Sequence, residues 1–247
     1  MVARLLLKVA PKAELYIAKV SDQEKMPKNQ LHRIAEAIKW AVLEWDVDII
    51  SMSLALSEEH YDINEELTQA LSPSSPNAKG KLVFAAAGNQ GPYRPRAWPA
   101  SKKGVIAVHA TDGSGEGTKF NPNPESELNL STLGENIKMR WSDPVNPGQR
   151  KNVHISGSSF STPIAAGIAA NVLEFARHRL ELNEWKKGLL YSHHGMTKIM
   201  KAMSRRRGGY DFVHPLAFWE EAVQGSAWEL PRNDPQNICQ VLNSIIS

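Results

Sequence analysis

The chain has 247 residues, 42% of them hydrophobic, enough to bury a sizeable core within one α/β domain. Its 29 Lys and Arg against 26 Asp and Glu leave a formal charge of +3, and the basic residues are scattered, which argues against a nucleic-acid surface. Cys239 stands alone, excluding an internal disulfide framework and a cysteine-based metal site, and no apolar stretch is long enough to span a bilayer.

Residues Met1 to Lys8 lack the length and cleavage pattern of a signal peptide, which inclines the reading to an intracellular protein and leaves the compartment open. Glu14 to Val20 reads as a strand. A helix follows, with Leu31, Ile34, Ala35, Ile38, Ala41, Val42 and Trp45 on one side and Arg33, Glu36 and Lys39 on the other. Val47 to Ser53 is the next strand, and Glu58 to Leu71 a second helix, ended by the turn-rich run from Ser72 to Asn77. Lys81 to Ala87 and Gly104 to Ala110 are nearly continuous apolar runs, as expected of parallel strands covered on both faces. Gly113 to Asn129 is polar and rich in Gly and Pro, hence a predicted surface loop. A short strand, Asn152 to Ile155, precedes a helix from about Thr162 to His178 that is apolar nearly all round and is therefore expected to be buried. Met196 to Met203 and Pro215 to Val223 read as helices, and the tail beyond Ser226 has no clear pattern. Strands alternating with helices predict crossover connections in a mostly parallel sheet.

Three weak signals resolve to ordinary structure. Gly113-Ser114-Gly115-Glu116-Gly117 follows a strand, but a phosphate loop must open a helix, and the next residues, with Pro122 and Pro124 among them, cannot form one. Arg205-Arg206-Arg207 beside Gly208-Gly209 fits a solvated turn better than a phosphate site. Asn129-Leu130-Ser131 fits a glycosylation sequon, which has meaning only in a secreted protein. No ligand spacing suggests a metal, and no cofactor is expected.

Two segments could carry chemistry. Ser159 lies between a short strand and a buried helix, where backbone N–H groups and the positive end of the helix favour negative charge near its oxygen. Ser156, Ser158, Ser159 and Ser161 could equally be helix caps. Asn89 follows the strand Leu82 to Ala87, and Gly88 and Gly91 allow a turn that exposes its amide at the strand's C-terminal edge, where open α/β sheets place their sites. A fixed amide donor suits a tetrahedral oxyanion, though an ordinary turn asparagine would look the same.

Taken in order, these segments resemble the subtilisin-like serine proteases. Gly157-Ser158-Ser159-Phe160-Ser161-Thr162-Pro163 is similar to that family's nucleophile motif, and Ala86-Ala87-Gly88-Asn89 to its oxyanion motif. Trp98-Pro99-Ala100, Val105 to Ala110, Val9-Ala10-Pro11 and Asp48 to Leu54 also look like family segments, in the family's order, from Met1 to about Ala176. The resemblance implies a three-layer α/β fold with helices on both faces of a mostly parallel sheet, and peptide or protein substrates. It implies Ser159 as nucleophile, Asn89 as oxyanion-hole donor and Gly88 as a substrate-binding residue. Ser53-Leu54-Ala55 would be an edge that pairs with substrate backbone. The family prefers Gly where Ala55 and Leu56 stand, so their side chains are expected to crowd the cleft, and His109 stands where the family has Gly.

The family's order is Asp, then His, then Ser. Met1-Val2-Ala3-Arg4-Leu5 looks like the end of its histidine motif, which would put the base just before Met1 and the acid further upstream. On this reading residues 1–225 are a partial peptidase domain lacking the first central strand, residues 226–247 a separate tail, and further domains belong to a longer parent chain. His154 approaches Ser159 along the sequence and Asp112 follows a strand, but neither suits the missing roles. A serine hydroxyl without a base is a poor nucleophile, so this chain alone is expected to be inactive. The alternative is a non-catalytic peptide-binding module on the same fold.

Overall fold

Alternation along the central strands sets the layering. Every residue of β2 (Leu82–Ala86) is buried: Leu82 and Phe84 join one apolar cluster, Val83 and Ala85 another. The first cluster lies under α4 (Ser158–Arg179) and α6 (His193–Ala202), the second under α2 (His32–Leu43) and α3 (Tyr61–Leu71). A strand apolar on both faces needs helices on both sides, and the result is three layers. The computed structural model describes residues 1–23, 26–72, 80–125, 128–142, 148–215 and 235–246. The predicted helix 215–223 lies outside these residues except for Pro215.

The described sheet has the order β1-β2-β3-β4-β8-β7, with β1 (Ile49–Met52), β2, β3 (Ile106–Thr111), β4 (Leu130–Leu133) and β8 (Tyr210–Val213) parallel. β7 (Ser204–Arg207) closes the far edge as an antiparallel hairpin with β8, turning at Gly208 and Gly209. A separate antiparallel hairpin, β5 (Ile137–Ser142) with β6 (Arg150–Ile155), delivers the chain to α4. α1 (Val2–Val9) crosses α4 closely: a Cβ on Gly167 would lie 2.9 Å from that of Val9. α5 (Glu184–Leu190) leads to α6, and α7 (Pro235–Ile245) packs against α4 and α6, with Leu242 and the following Ile246 buried in the main core.

Four expectations change. Glu14 to Val20 is not a strand: it runs without turn or bend, but no ladder joins it to another strand among the described residues. A strand needs a neighbour, and here a cavity of about 930 Å³ lies against both this segment and β1. The 113–129 region is not only surface. Asn121 clamps both backbone groups of Ala110, and Gly115 and Gly117 lie close under Phe212 and Tyr210, so polar residues go inside because the end of β3 supplies partners. No helix follows Gly117 before Leu130 among the described residues, and Asn129 is fully buried. The arginines sit on β7 rather than in the turn, where Arg206 grips the Asp211 carboxylate with contacts of 3.0 and 2.9 Å, and Arg207 pairs with Glu116.

The fourth change concerns α4, which starts four residues earlier than its apolar pattern suggests. Pro163 is therefore in the second turn, not the first. A proline there has no N–H to offer the carbonyl four residues back, which belongs to Ser159. The Ser53 hydroxyl donates to that carbonyl instead, at 2.7 Å. Removing it with Ser53→Ala should cost about 1–3 kcal/mol, the price of an orphaned, partly buried acceptor. Urea unfolding checks this, and Pro163→Ala added to Ser53→Ala should recover part of the loss by restoring the helical N–H.

Candidate active site

The C-terminal ends of β1 and β2 meet the N-terminus of α4. β6 ends at Ile155, and Gly157 turns the chain into the helix with φ +143°, a backbone that side chains rarely adopt. Its N–H donates to the Gly134 carbonyl at 2.7 Å. Gly134 is itself at a close approach, since a Cβ there would lie 2.0 Å from the Ser161 hydroxyl. The helix mouth is thus pinned against the end of β4.

Asn89 stands at the exit of β2, exposed, one residue after the buried Gly88. Its side-chain carbonyl accepts from the Ser158 N–H at 2.8 Å and from the Ser158 hydroxyl at 2.9 Å. A backbone N–H can only donate, so Oδ1 must face Ser158 and the amide nitrogen must face away. That nitrogen lies beside Gly157, 3.2 Å from where a Cβ would stand. The Gly88 N–H donates to the Ser158 hydroxyl at 3.2 Å, tying the two segments a second time.

Ser159 is the next residue, half-buried in the first turn of α4, where its N–H has no carbonyl within the helix to bond. Ser53 bonds its carbonyl, as above. Leu54 is partly exposed and Ala55 exposed, and Leu56 is held by paired backbone bonds to Trp98 of 2.7 and 3.1 Å. Leu56 is therefore locked into structure, and the open strip is Ser53-Leu54-Ala55. The structure brings together Ser159, Asn89, Gly88 and Ser53, with Leu54 and Ala55 running away from them.

The histidines occupy other places. His109 is buried in β3, with Nδ1 3.2 Å from the Leu130 carbonyl and its ring against Tyr210. His154 lies 2.5 Å from the Asn136 side-chain oxygen and His178 pairs with Glu174. His32 opens α2, His60 caps α3, His193 and His194 open α6, and His214 follows β8. Asp112 accepts from the Ser114 and Glu116 N–H groups in a tight turn, and the resulting hydrogen bonds, that from the Ser114 hydroxyl foremost, lower its pKa. Among the described residues, no group of acidic, His and Cys side chains is placed to hold a metal ion, and no helix is long and apolar enough to cross a membrane.

Sequence reasoning overlooked Ser158, whose N–H and hydroxyl orient the Asn89 amide. Its adjacency to Ser159 and the shared small-residue motif were the available signal, but a cap and an anchor look alike until the partner 69 residues away is seen.

Residues 3–210 match the Subtilase family. The chain belongs to the subtilase family. Over 238 residues it is 32% identical to "Subtilisin-like protease het-Q2" of Podospora anserina, covering 91% of this chain and 63% of that protein. It is 33% identical over 177 residues to "Intracellular serine protease" of Paenibacillus polymyxa, covering 70% of this chain and 49% of that one. This subtilase chain thus spans about half to two thirds of the length of these relatives. The structure of the prenylagaramide maturation protease PagA superposes with a TM-score of 0.60 at 20% identity, covering 82% of this chain and 70% of that one, a likeness of fold. Three layers around a mostly parallel sheet are the fold expected of this family from the sequence.

Proposed function

We propose that this subtilase chain carries the nucleophile and oxyanion donors of a serine endopeptidase that cleaves peptide or protein substrates, with its base and acid supplied from outside residues 1–247. In the reaction, Ser159 Oγ bonds to the scissile carbonyl carbon while its proton passes to the base. The carbonyl electron pair moves onto oxygen, and the Asn89 amide with the Ser159 N–H stabilises that charge. Collapse then expels the amine, which takes the proton, and leaves an acyl-serine for water to cleave. Ser53-Leu54-Ala55 pairs with extended substrate backbone.

The observation that carries this reading is the Ser158 anchor, which turns the Asn89 amide nitrogen away from Ser158 and leaves it beside Gly157, two residues before Ser159. What supports an external base is that His109 is sealed in the core while His154 and His178 are engaged with Asn136 and Glu174. In subtilisin, loss of the serine or its histidine costs on the order of a million-fold in turnover.

A fluorophosphonate probe with mass-spectrometric readout tests both parts. Labelling should fall on Ser159, be very slow, and accelerate in proportion to added imidazole, which can take the proton in place of the missing base. Ser159→Ala should abolish it. Rapid labelling without imidazole would refute the external base, and peptide binding without any labelling would turn the reading to a non-catalytic module.

A further inference from the structure

Basic residues are scattered along the sequence, but the hairpin that leads into α4 gathers several of them on one face. β5 and β6 carry Lys138, Arg140, Arg150 and Lys151 and no acidic residue. Their register sets Lys138 opposite His154, Arg140 opposite Asn152 and Ser142 opposite Arg150. Opposed residues of an antiparallel pair point to the same face, so these six side chains share one, and all six are exposed. The other face is apolar: Ile137 and Met139, with Val153 and Ile155, cluster with Leu5 and Phe160. Each rung of the outer face thus holds one full cation, and successive rungs lie about 7 Å apart. Lys138, Arg140 and Arg150 enter no ion pair among the described residues. Glu135 lies at the neck of the hairpin, before the strands begin.

This face adjoins the candidate active site. β6 ends at Ile155, four residues before Ser159, and Phe160, just after Ser159, belongs to the cluster under the hairpin. β5 follows the end of β4, whereas Ser53-Leu54-Ala55 follows the end of β1, with β2 and β3 between them in the sheet. A substrate seated on that strip and crossing Ser159 therefore runs on toward the hairpin. We infer that the outer face of β5 and β6 is an exosite for an extended acidic segment of the protein substrate, on the far side of the scissile bond from the residues held by Ser53-Leu54-Ala55. An extended chain repeats its side chains on one face at the interval of the rungs, so carboxylates at every second residue meet Lys138, Arg140 and Arg150 in turn. The inference rests on the peptidase reading of Ser159 and narrows its substrate class. Charge alone would attract a nucleic acid as well, but continuity with the peptide strip favours a peptide.

The test measures fluorescence anisotropy of a labelled peptide, Ser-Glu-Val-Glu-Thr-Glu-Ser, against the full chain at low salt. One comparison peptide has Gln at every Glu position, and another has the same Glu residues in a single run. The alternating peptide should bind, the run should bind more weakly, and the Gln peptide should not bind. Lys138→Gln, Arg140→Gln and Arg150→Gln should each weaken binding about 2- to 5-fold, and together about ten-fold or more, with unfolding midpoints unchanged. Lys39→Gln, an exposed cation on α2, should have no effect. A fluorophosphonate joined to the alternating peptide through a short glycine spacer ties the face to the site. With imidazole present it should label Ser159 about ten-fold faster than the free probe, and the triple substitution should erase that gain while labelling by the free probe is kept. Equal binding of the three peptides, binding that survives the triple substitution, or a tether that brings no gain would each overturn the proposal. Tighter binding of a single-stranded oligonucleotide to the same face would overturn it in favour of a nucleic acid. Absence of labelling by either probe is instead the failure of the peptidase reading.

Discussion

Asn89→Ala is expected to slow imidazole-assisted acylation of Ser159 by about 100- to 1,000-fold, the loss that follows removal of one oxyanion donor. The side chain is exposed, so the fold has little stake in it. Its orientation comes from Ser158, through one bond to a backbone N–H and one to a hydroxyl. Those two bonds separate the roles. Ser158→Ala keeps the 2.8 Å backbone bond and loses the hydroxyl, with its bonds to Asn89 and Gly88, so the amide should remain mostly aimed and the rate should fall by about five-fold, in line with a neutral hydrogen bond of roughly 1 kcal/mol to Asn89. Labelling rates at fixed imidazole, with unfolding midpoints as the control for fold, measure both. Equal rates for Asn89→Ala and the unaltered chain would show that the amide takes no part.

The second large effect is on stability against pH. His109 is fully buried, its Nε2 has no partner among the described residues, and burial, with the Arg96 charge added, lowers its pKa from 6.5 to about 4. The Leu130 carbonyl and Asp211 oppose the shift without cancelling it. In the unfolded chain the same imidazole takes up a proton near pH 6.5, so the unfolded state binds more protons between the two values. Stability due to His109 is therefore complete above about pH 6.5, falls as pH drops toward 4, and levels off below, with about 3 kcal/mol at stake. His109→Gln, which cannot titrate, should flatten unfolding free energy across that window. A slope unchanged by the substitution would place the acid sensitivity elsewhere. The histidine that departs from the family pattern is, on this account, a core group with a pH liability and no catalytic part.

The fold class was legible because it rests on local pattern. Continuous apolar runs at Leu82 to Ala87 and Val105 to Ala110 can only be satisfied by helices on both faces, and the small residues Ala165, Ala166 and Ala169 permit a buried helix. The position of Ser159 at a helix mouth and of Asn89 past a strand followed from the same patterns with the family's motif order. What the residue order could not disclose is which partners those groups take. Ser158 and Asn89 are 69 residues apart, and Ser53 and Ser159 are 106 apart. Such bonds exist only once β1, β2 and α4 are stacked, because a side-chain donor has no periodicity to betray its acceptor. The start of α4 was misplaced for a related reason: apolar periodicity begins where burial begins, whereas the helix begins at Ser158, just after the turn at Gly157, whose N–H is bonded to the distant Gly134 carbonyl. Glu14 to Val20 has the composition of a strand, but a strand is a property of two chains side by side, and only the tertiary structure decides whether the second one is there.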